Sequence, residues 1–316
     1  MASRALPPEI LKKVRRIQIV AGRKVDETFA GQFRSVFRGS GIEFEEVREY
    51  VVGDDVRSID WNVTARAGKP YIKRYVEERE RRMVLVVDVS GSQRFGTADT
   101  LKVELAAEVA AVLAAAAIKS NDKVGLVAFS EGVEHFVPAR KGSRHAMRVI
   151  RDVLGFQPEL SGTNLAGTLD HVNQVLRRGA IVVVISDFLT SGYERSLIRL
   201  GRRHDVIAVR ANDPREDELP AVGLIRVADL ETGEVGEVDA SDAGVREEYR
   251  LRAGARRAGV EALMRRAGAD FVEISTKEDY VEPLRRLFER RAKRRGAKRG
   301  GVRATAPQRA SPRKGK

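Results

Sequence analysis

The stretch MVLVVDVSGS, residues 83–92, decides how the rest of the chain is read. Met83 to Val87 is an unbroken apolar run that ends on an acid, Asp88, and passes into a turn of Ser90, Gly91 and Ser92. A strand with one wet face would alternate apolar and polar residues. A continuous run of this length predicts instead a central parallel strand covered on both faces. A second run of the same kind, AIVVVIS at 180–186, also ends on an acid, Asp187.

Outward from these runs, strand and helix patterns alternate. Thr97 to Lys119 reads as a helix that is apolar over most of its circumference and therefore sunk in the core. Lys123–Phe129 and Val133–Val137 read as strands about a Glu131-Gly132 turn, and Arg144–Leu154 and Leu165–Arg177 as amphipathic helices. Then come a helix at Arg195–Arg203, a strand at Asp205–Arg210, a hairpin about Glu231-Thr232-Gly233, a charged helix at Val245–Ala267, a last strand at Asp270–Ser275 and a closing helix from Asp279. This order predicts an α/β fold with a doubly wound, mostly parallel sheet.

In such a sheet, function gathers outside the carboxyl ends of the strands. Past the first buried strand stand Asp88, Ser90 and Ser92; past the second stands Asp187; ahead of the helix at Leu165 lie Ser161, Gly162 and Thr163. Two carboxylates and a set of hydroxyls at one edge are hard oxygen donors, suited to Mg²⁺. The pattern Asp-x-Ser-x-Ser, with Thr163 and Asp187 on later elements, resembles the von Willebrand factor A domain. The resemblance implies a metal-ion-dependent adhesion site (MIDAS) in which Ser90, Ser92 and Thr163 ligate the ion directly. Asp88 and Asp187 would then act mainly through water or by switching with Thr163, and an open position would take a carboxylate from a partner. Mg²⁺ is the ion expected, with Mn²⁺ and Ca²⁺ as alternatives. Gln93 and Arg94 depart from that pattern, since many relatives carry Met after the second Ser.

The segment before this domain narrows the resemblance. Glu43-Phe44, Val47-Arg48, Tyr50, Gly53-Asp54-Asp55, Arg57, Ile59-Asp60-Trp61 and Ala65-Arg66 resemble the signature of the DUF58 family. That family implies a working partnership with a MoxR-type AAA+ ATPase. Two readings of the segment's charges stand side by side. One is a paired, part-buried network that fixes the segment; the other is a partner-binding surface anchored by Arg48, Arg57, Trp61 and Arg66.

Composition excludes several classes. With no Cys there is no disulfide framework, thiolate nucleophile or Cys-bound metal, and the four His are far apart in sequence. No stretch reaches the length of a membrane span and the N-terminus lacks a signal-peptide h-region, so a cytoplasmic protein is expected. The formal charge is +13, but twelve Lys and Arg and no acid lie between Arg290 and Lys316, so the excess belongs almost entirely to the C-terminal tail. The expected division is a helical lead-in over 1–32, a β-rich signature segment over 33–81, the von Willebrand A-like domain over 82–289 with its hairpin near 224–239, and a disordered basic tail over 290–316. The leading functional expectation is a non-enzymatic, Mg²⁺-dependent adaptor. The alternatives are a Mg²⁺-dependent phosphatase with Asp88 as nucleophile, and a nucleic-acid-associated protein acting through the tail. The first lacks a second acid at position 90 for proton transfer, and the second lacks aromatic residues for base stacking.

Overall fold

A computed structural model describes residues 43–76, 81–97, 100–156, 162–177, 179–228 and 233–300. The expected lead-in 1–32, the start of the signature segment, Ser161 and the end of the tail, 301–316, lie outside the described residues.

The signature segment forms a small unit. Strands β1 (Glu43–Glu49) and β2 (Tyr71–Val76) pair antiparallel, and helix α1 (Trp61–Ala67) lies between them in sequence. The segment expected to be β-rich holds these two strands and, in addition, a helix. Asp60 accepts from the backbone N–H groups of Asn62 and Val63 and so starts a helix that the strand-like texture concealed, and Gly68 ends it in the left-handed conformation at φ +69°.

From residue 82 the elements follow as β3 (Arg82–Asp88), α2 (Lys102–Lys119), β4 (Lys123–Phe129), β5 (Val133–Arg140), α3 (Ser143–Gly155), α4 (Leu165–Val175), β6 (Ile181–Ser186), α5 (Glu194–Arg203), β7 (Asp205–Asn212), α6 (Pro214–Asp217), β8 (Leu224–Ala228), β9 (Val235–Asp239), α7 (Ala243–Ala267), β10 (Asp270–Ser275) and α8 (Val281–Gly300). One six-stranded sheet runs in the order β10-β7-β6-β3-β4-β5. Every pairing is parallel except β4 with β5, whose connection of three residues is too short for a crossover and makes a hairpin. The pair β8–β9 is a separate antiparallel ribbon, at the place where the hairpin was expected.

The apolar runs behave as their composition demands. Along β3, Met83, Leu85 and Val87 join a core with α2, α3 and α8 on one face of the sheet. Val84 and Val86 join a second core with α4, α5 and α7 on the other face. Both sets are almost fully buried, so alternation of side chains across the pleat carries no change in polarity. Helix α2 begins at Lys102, five residues later than its sequence pattern implied, after an extended Leu101 at its N-cap.

The tail also requires a correction. Helix α8 continues to Gly300, past the expected onset of disorder at residue 290. Arg291 is buried between Asp205 and Asp270, the first residues of β7 and β10, and Arg294 pairs with Asp270 at 2.7 Å. Basic residues that looked like solvent-exposed tail thus neutralise carboxylates at the amino edge of the sheet.

Candidate functional site at the carboxyl edge of the sheet

After β3 the chain moves to β4 on one side, and it returns later to β6 on the other. The loops leaving the neighbouring strands β3 and β6 therefore diverge, which opens a crevice at their carboxyl ends. The register pairs Val87 with Ile185, so Asp88 and Ser186 end their strands side by side.

Asp88 is fully enclosed and both its oxygens are engaged. Its Oδ1 accepts from the Ser90 backbone N–H at 3.0 Å, and its Oδ2 accepts from the Ser186 hydroxyl at 2.6 Å. Burial, reinforced by the nearby Asp187 carboxylate, pushes the Asp88 carboxyl up to about 7. From Ser90 a line of oxygens leads outward. Ser90 Oγ lies 3.2 Å from Ser92 Oγ, and Ser92 Oγ donates to Asp187 Oδ2 at 2.9 Å. Asp187 is held from its other side by the Leu189 N–H, which donates to Oδ1 at 3.1 Å. The turn that makes this bond places Phe188 at φ +57°, a left-handed conformation costing a non-glycine residue roughly 1–2 kcal/mol. The Phe188 N–H is taken up by Ser186 Oγ at 3.1 Å and its ring is buried, so the surroundings hold the strained turn in place.

Asp88, Ser90, Ser92 and Asp187 are therefore brought together. Thr163 reaches the same edge by its backbone: Asn164 N–H donates to the Ser130 carbonyl just past β4, and the Thr163 carbonyl accepts from Thr190 Oγ1 at 3.4 Å, three residues after Asp187. The Arg94 that follows the serines is exposed, whereas Gln93 is fully buried and neither atom of its amide has a partner among the described residues.

Two participants were missed from sequence. Lys102, the first residue of α2, is completely buried, and its ammonium donates to Asp187 Oδ2 at 2.8 Å and to Glu216 Oε1. Burial alone would push the Lys102 ammonium down, but the Asp187 and Glu216 carboxylates outweigh it and the net displacement is upward. Burial moves Glu216 up, even against the pull of Lys102. Glu216 had a legible signal. Asp213-Pro214-Arg215-Glu216 directly after β7 is a capping box, in which Asp213 N–H donates to Glu216 Oε2 at 3.1 Å. Lys102 had only a faint one, a lone cation opening a run of apolar residues.

The donor set fits a hard divalent ion in kind. Among the described residues no group of three or more His, Cys, Asp or Glu could hold a metal, so the candidate set is two carboxylates and three hydroxyls, all oxygen. Ser90, Ser92 and Asp187 already converge within hydrogen-bonding distance, and Asp88 backs them from below.

The residues proposed for partner binding belong to the separate unit. Arg48 forms a two-pronged pair with Asp54 at 2.8 and 2.9 Å, and Asp55 accepts from the Arg57 N–H. Arg57 and Arg66 are exposed, and Trp61 is 69% exposed. Of the paired network, then, Arg48 with Asp54 is present, while Asp55 and Asp60 serve as local caps.

No helix among the described residues is long and apolar enough to cross a membrane. The family described as "Protein of unknown function DUF58" matches residues 46–259. Uncharacterized proteins of Mycobacterium tuberculosis and Mycobacterium bovis are each 33% identical over 293 residues, which covers 92% of this chain and 92% of theirs. Among solved structures, the chain is similar to a conserved hypothetical protein BatB from Bacteroides thetaiotaomicron (TM-score 0.44, 14% identity, 67% of this chain and 99% of that one). It is also similar to the SpRpn10 VWA domain (TM-score 0.39, 10% identity, 67% of this chain and 95% of that one). The family match spans about two thirds of the sequence and the mycobacterial relatives nearly all of it, and so the chain belongs to the DUF58 family.

Proposed function

We propose that the protein is a non-enzymatic interaction module that binds a protein partner at the carboxyl edge of its sheet, with a Mg²⁺ ion completing the contact. The observation that carries this reading is the line of oxygens from Ser90 through Ser92 to Asp187, which opens at Ser92 and Thr190 into a groove. The groove has a volume of about 760 Å³, and Phe95, Pro220, Ile225, Val227 and Tyr249 give it an apolar wall. An apolar cleft with a few convergent polar groups at one end suits a side chain that carries a carboxylate on an apolar stem. Ser90, Ser92 and Asp187 would hold the ion, with Thr163 beside them. The bound ion would supply positive charge and an open coordination position for the partner's carboxylate.

The surroundings of Asp88 favour binding over covalent chemistry. Its oxygens are enclosed and engaged, whereas a phosphatase nucleophile must reach its substrate. Family resemblance supports a MoxR-type AAA+ ATPase as the partner. The test uses the full chain as bait and a purified MoxR-type ATPase as prey, in Mg²⁺ and in EDTA, with Ser92→Ala alongside. Capture that depends on Mg²⁺ and drops in Ser92→Ala is expected. Equal capture in all three conditions would remove the ion-bridged contact.

A further inference from the structure

Lys102 is in an unfavourable place for a lysine. It opens helix α2, where the helix dipole repels a cation, and it is completely buried. It stays because two carboxylates from different elements converge on its ammonium, Asp187 after β6 and Glu216 in α6. The Asp187 oxygen that it holds, Oδ2, is the one that accepts from Ser92, in the line of oxygens described above.

Glu216 is a prepared second seat. Its other oxygen is pinned by the Asp213 N–H, and Asp213 is itself fixed by Thr97 Oγ1 at 2.6 Å and Thr276 Oγ1 at 2.7 Å. The ammonium thus has one partner inside the candidate metal set and one outside it. We propose that Lys102 is a tethered counter-cation: it neutralises Asp187 while no divalent ion is bound, withdraws onto Glu216 when one enters, and thereby sets the affinity of the site. This inference rests on the divalent-ion reading above and adds a competitor to it. Two cations on one carboxylate oxygen repel, so an arriving ion has to displace the ammonium, and the displacement is easier the more firmly Glu216 receives it.

The experiment titrates Mn²⁺ into the full chain, reading free Mn²⁺ by electron paramagnetic resonance, with melting temperature in Mg²⁺ as a second readout. Glu216→Gln leaves the ammonium Asp187 as its one carboxylate among the described residues, and Mn²⁺ affinity should fall by about tenfold or more. The double variant Lys102→Met with Glu216→Gln removes the competitor without leaving two unpaired buried carboxylates, and affinity should rise by about tenfold or more. The opposite directions of the two variants separate competition from damage to the fold, which would lower affinity in both. Equal Mn²⁺ affinity in the wild type and both variants would overturn the inference and leave the divalent-ion reading standing. Absence of Mn²⁺ binding from the wild type and the double variant alike would overturn both.

Discussion

Replacing Asp88 by Asn tests the electrostatics of the carboxyl edge directly. Asn keeps the size of the side chain, an oxygen for the Ser90 N–H and an amide that can donate to Ser186 Oγ, and it removes the charge. In the folded protein, burial and then the Asp187 carboxylate raise the Asp88 carboxyl from 3.8 to about 7. The native state therefore holds a proton that the unfolded chain has already released across that interval. Wild-type stability must fall as pH rises through this window, and the loss is complete above the folded value. The full displacement is worth on the order of 4 kcal/mol, of which about 3 kcal/mol falls between pH 5 and pH 8. The assay is urea unfolding of both proteins in EDTA at these two pH values. With the slopes usual for a domain of this size, the gap between their midpoints should change by about 1 M urea in favour of Asp88→Asn at pH 8. Midpoints that move in parallel would show that Asp88 is ionised in the fold at both pH values, and the argument that burial and Asp187 hold a proton on it would fail.

Two further substitutions probe the frame around the site. Gln93→Met removes an amide whose two polar atoms are buried without described partners and replaces it with an apolar side chain of similar length. A gain of about 1 kcal/mol is expected, a rise in melting temperature of about 2–4 °C by scanning calorimetry, and a fall would refute the reasoning. Gly201→Ala should do the reverse. Helix propensity alone favours Ala by about 1 kcal/mol, but a Cβ on Gly201 would stand 2.0 Å from the Ala267 carbonyl oxygen where α5 meets α7. Overpacking should win by about 2 kcal/mol or more, and a variant as stable as the wild type would show that the two helices can part without penalty.

What could be read from sequence follows a physical divide between local and distant causes. The runs at 83–87 and 180–186 announced their strands because a strand buried on both faces has no polar position to hide. The Asp-x-Ser-x-Ser turn was legible because its geometry is made within five residues, as the bond from the Ser90 N–H to Asp88 shows. The small helix α1 was missed because its cause is one capping residue, Asp60, in a segment whose composition otherwise suits strands. The helical start of the tail was missed for the opposite reason. Arg291 looks like a solvated charge until Asp205 and Asp270, 86 and 21 residues away, are folded against it. Lys102 belongs to the same class: nothing near it in sequence marks it for burial, and the carboxylates that explain it lie 85 and 114 residues further on.

That last omission bears on how a site of this kind should be read. A motif names the oxygen donors, but an ion's affinity depends on how the cluster balances its charge when the ion is absent. Here Asp187 lies beside both Asp88 and Glu216, and the fold meets the excess of negative charge by two separate means. Asp88, enclosed next to Asp187, is driven toward its protonated form, and Lys102 divides its ammonium between the other two. On the divalent-ion reading proposed above, an entering ion would compete with a proton and with a tethered amine, neither of which the five motif residues reveal. If the divalent-ion reading holds, two chains with identical serines and aspartates would differ in metal affinity according to the residue that opens α2, because Lys102, rather than the exposed Arg94 beside the motif, is the cation in contact with Asp187.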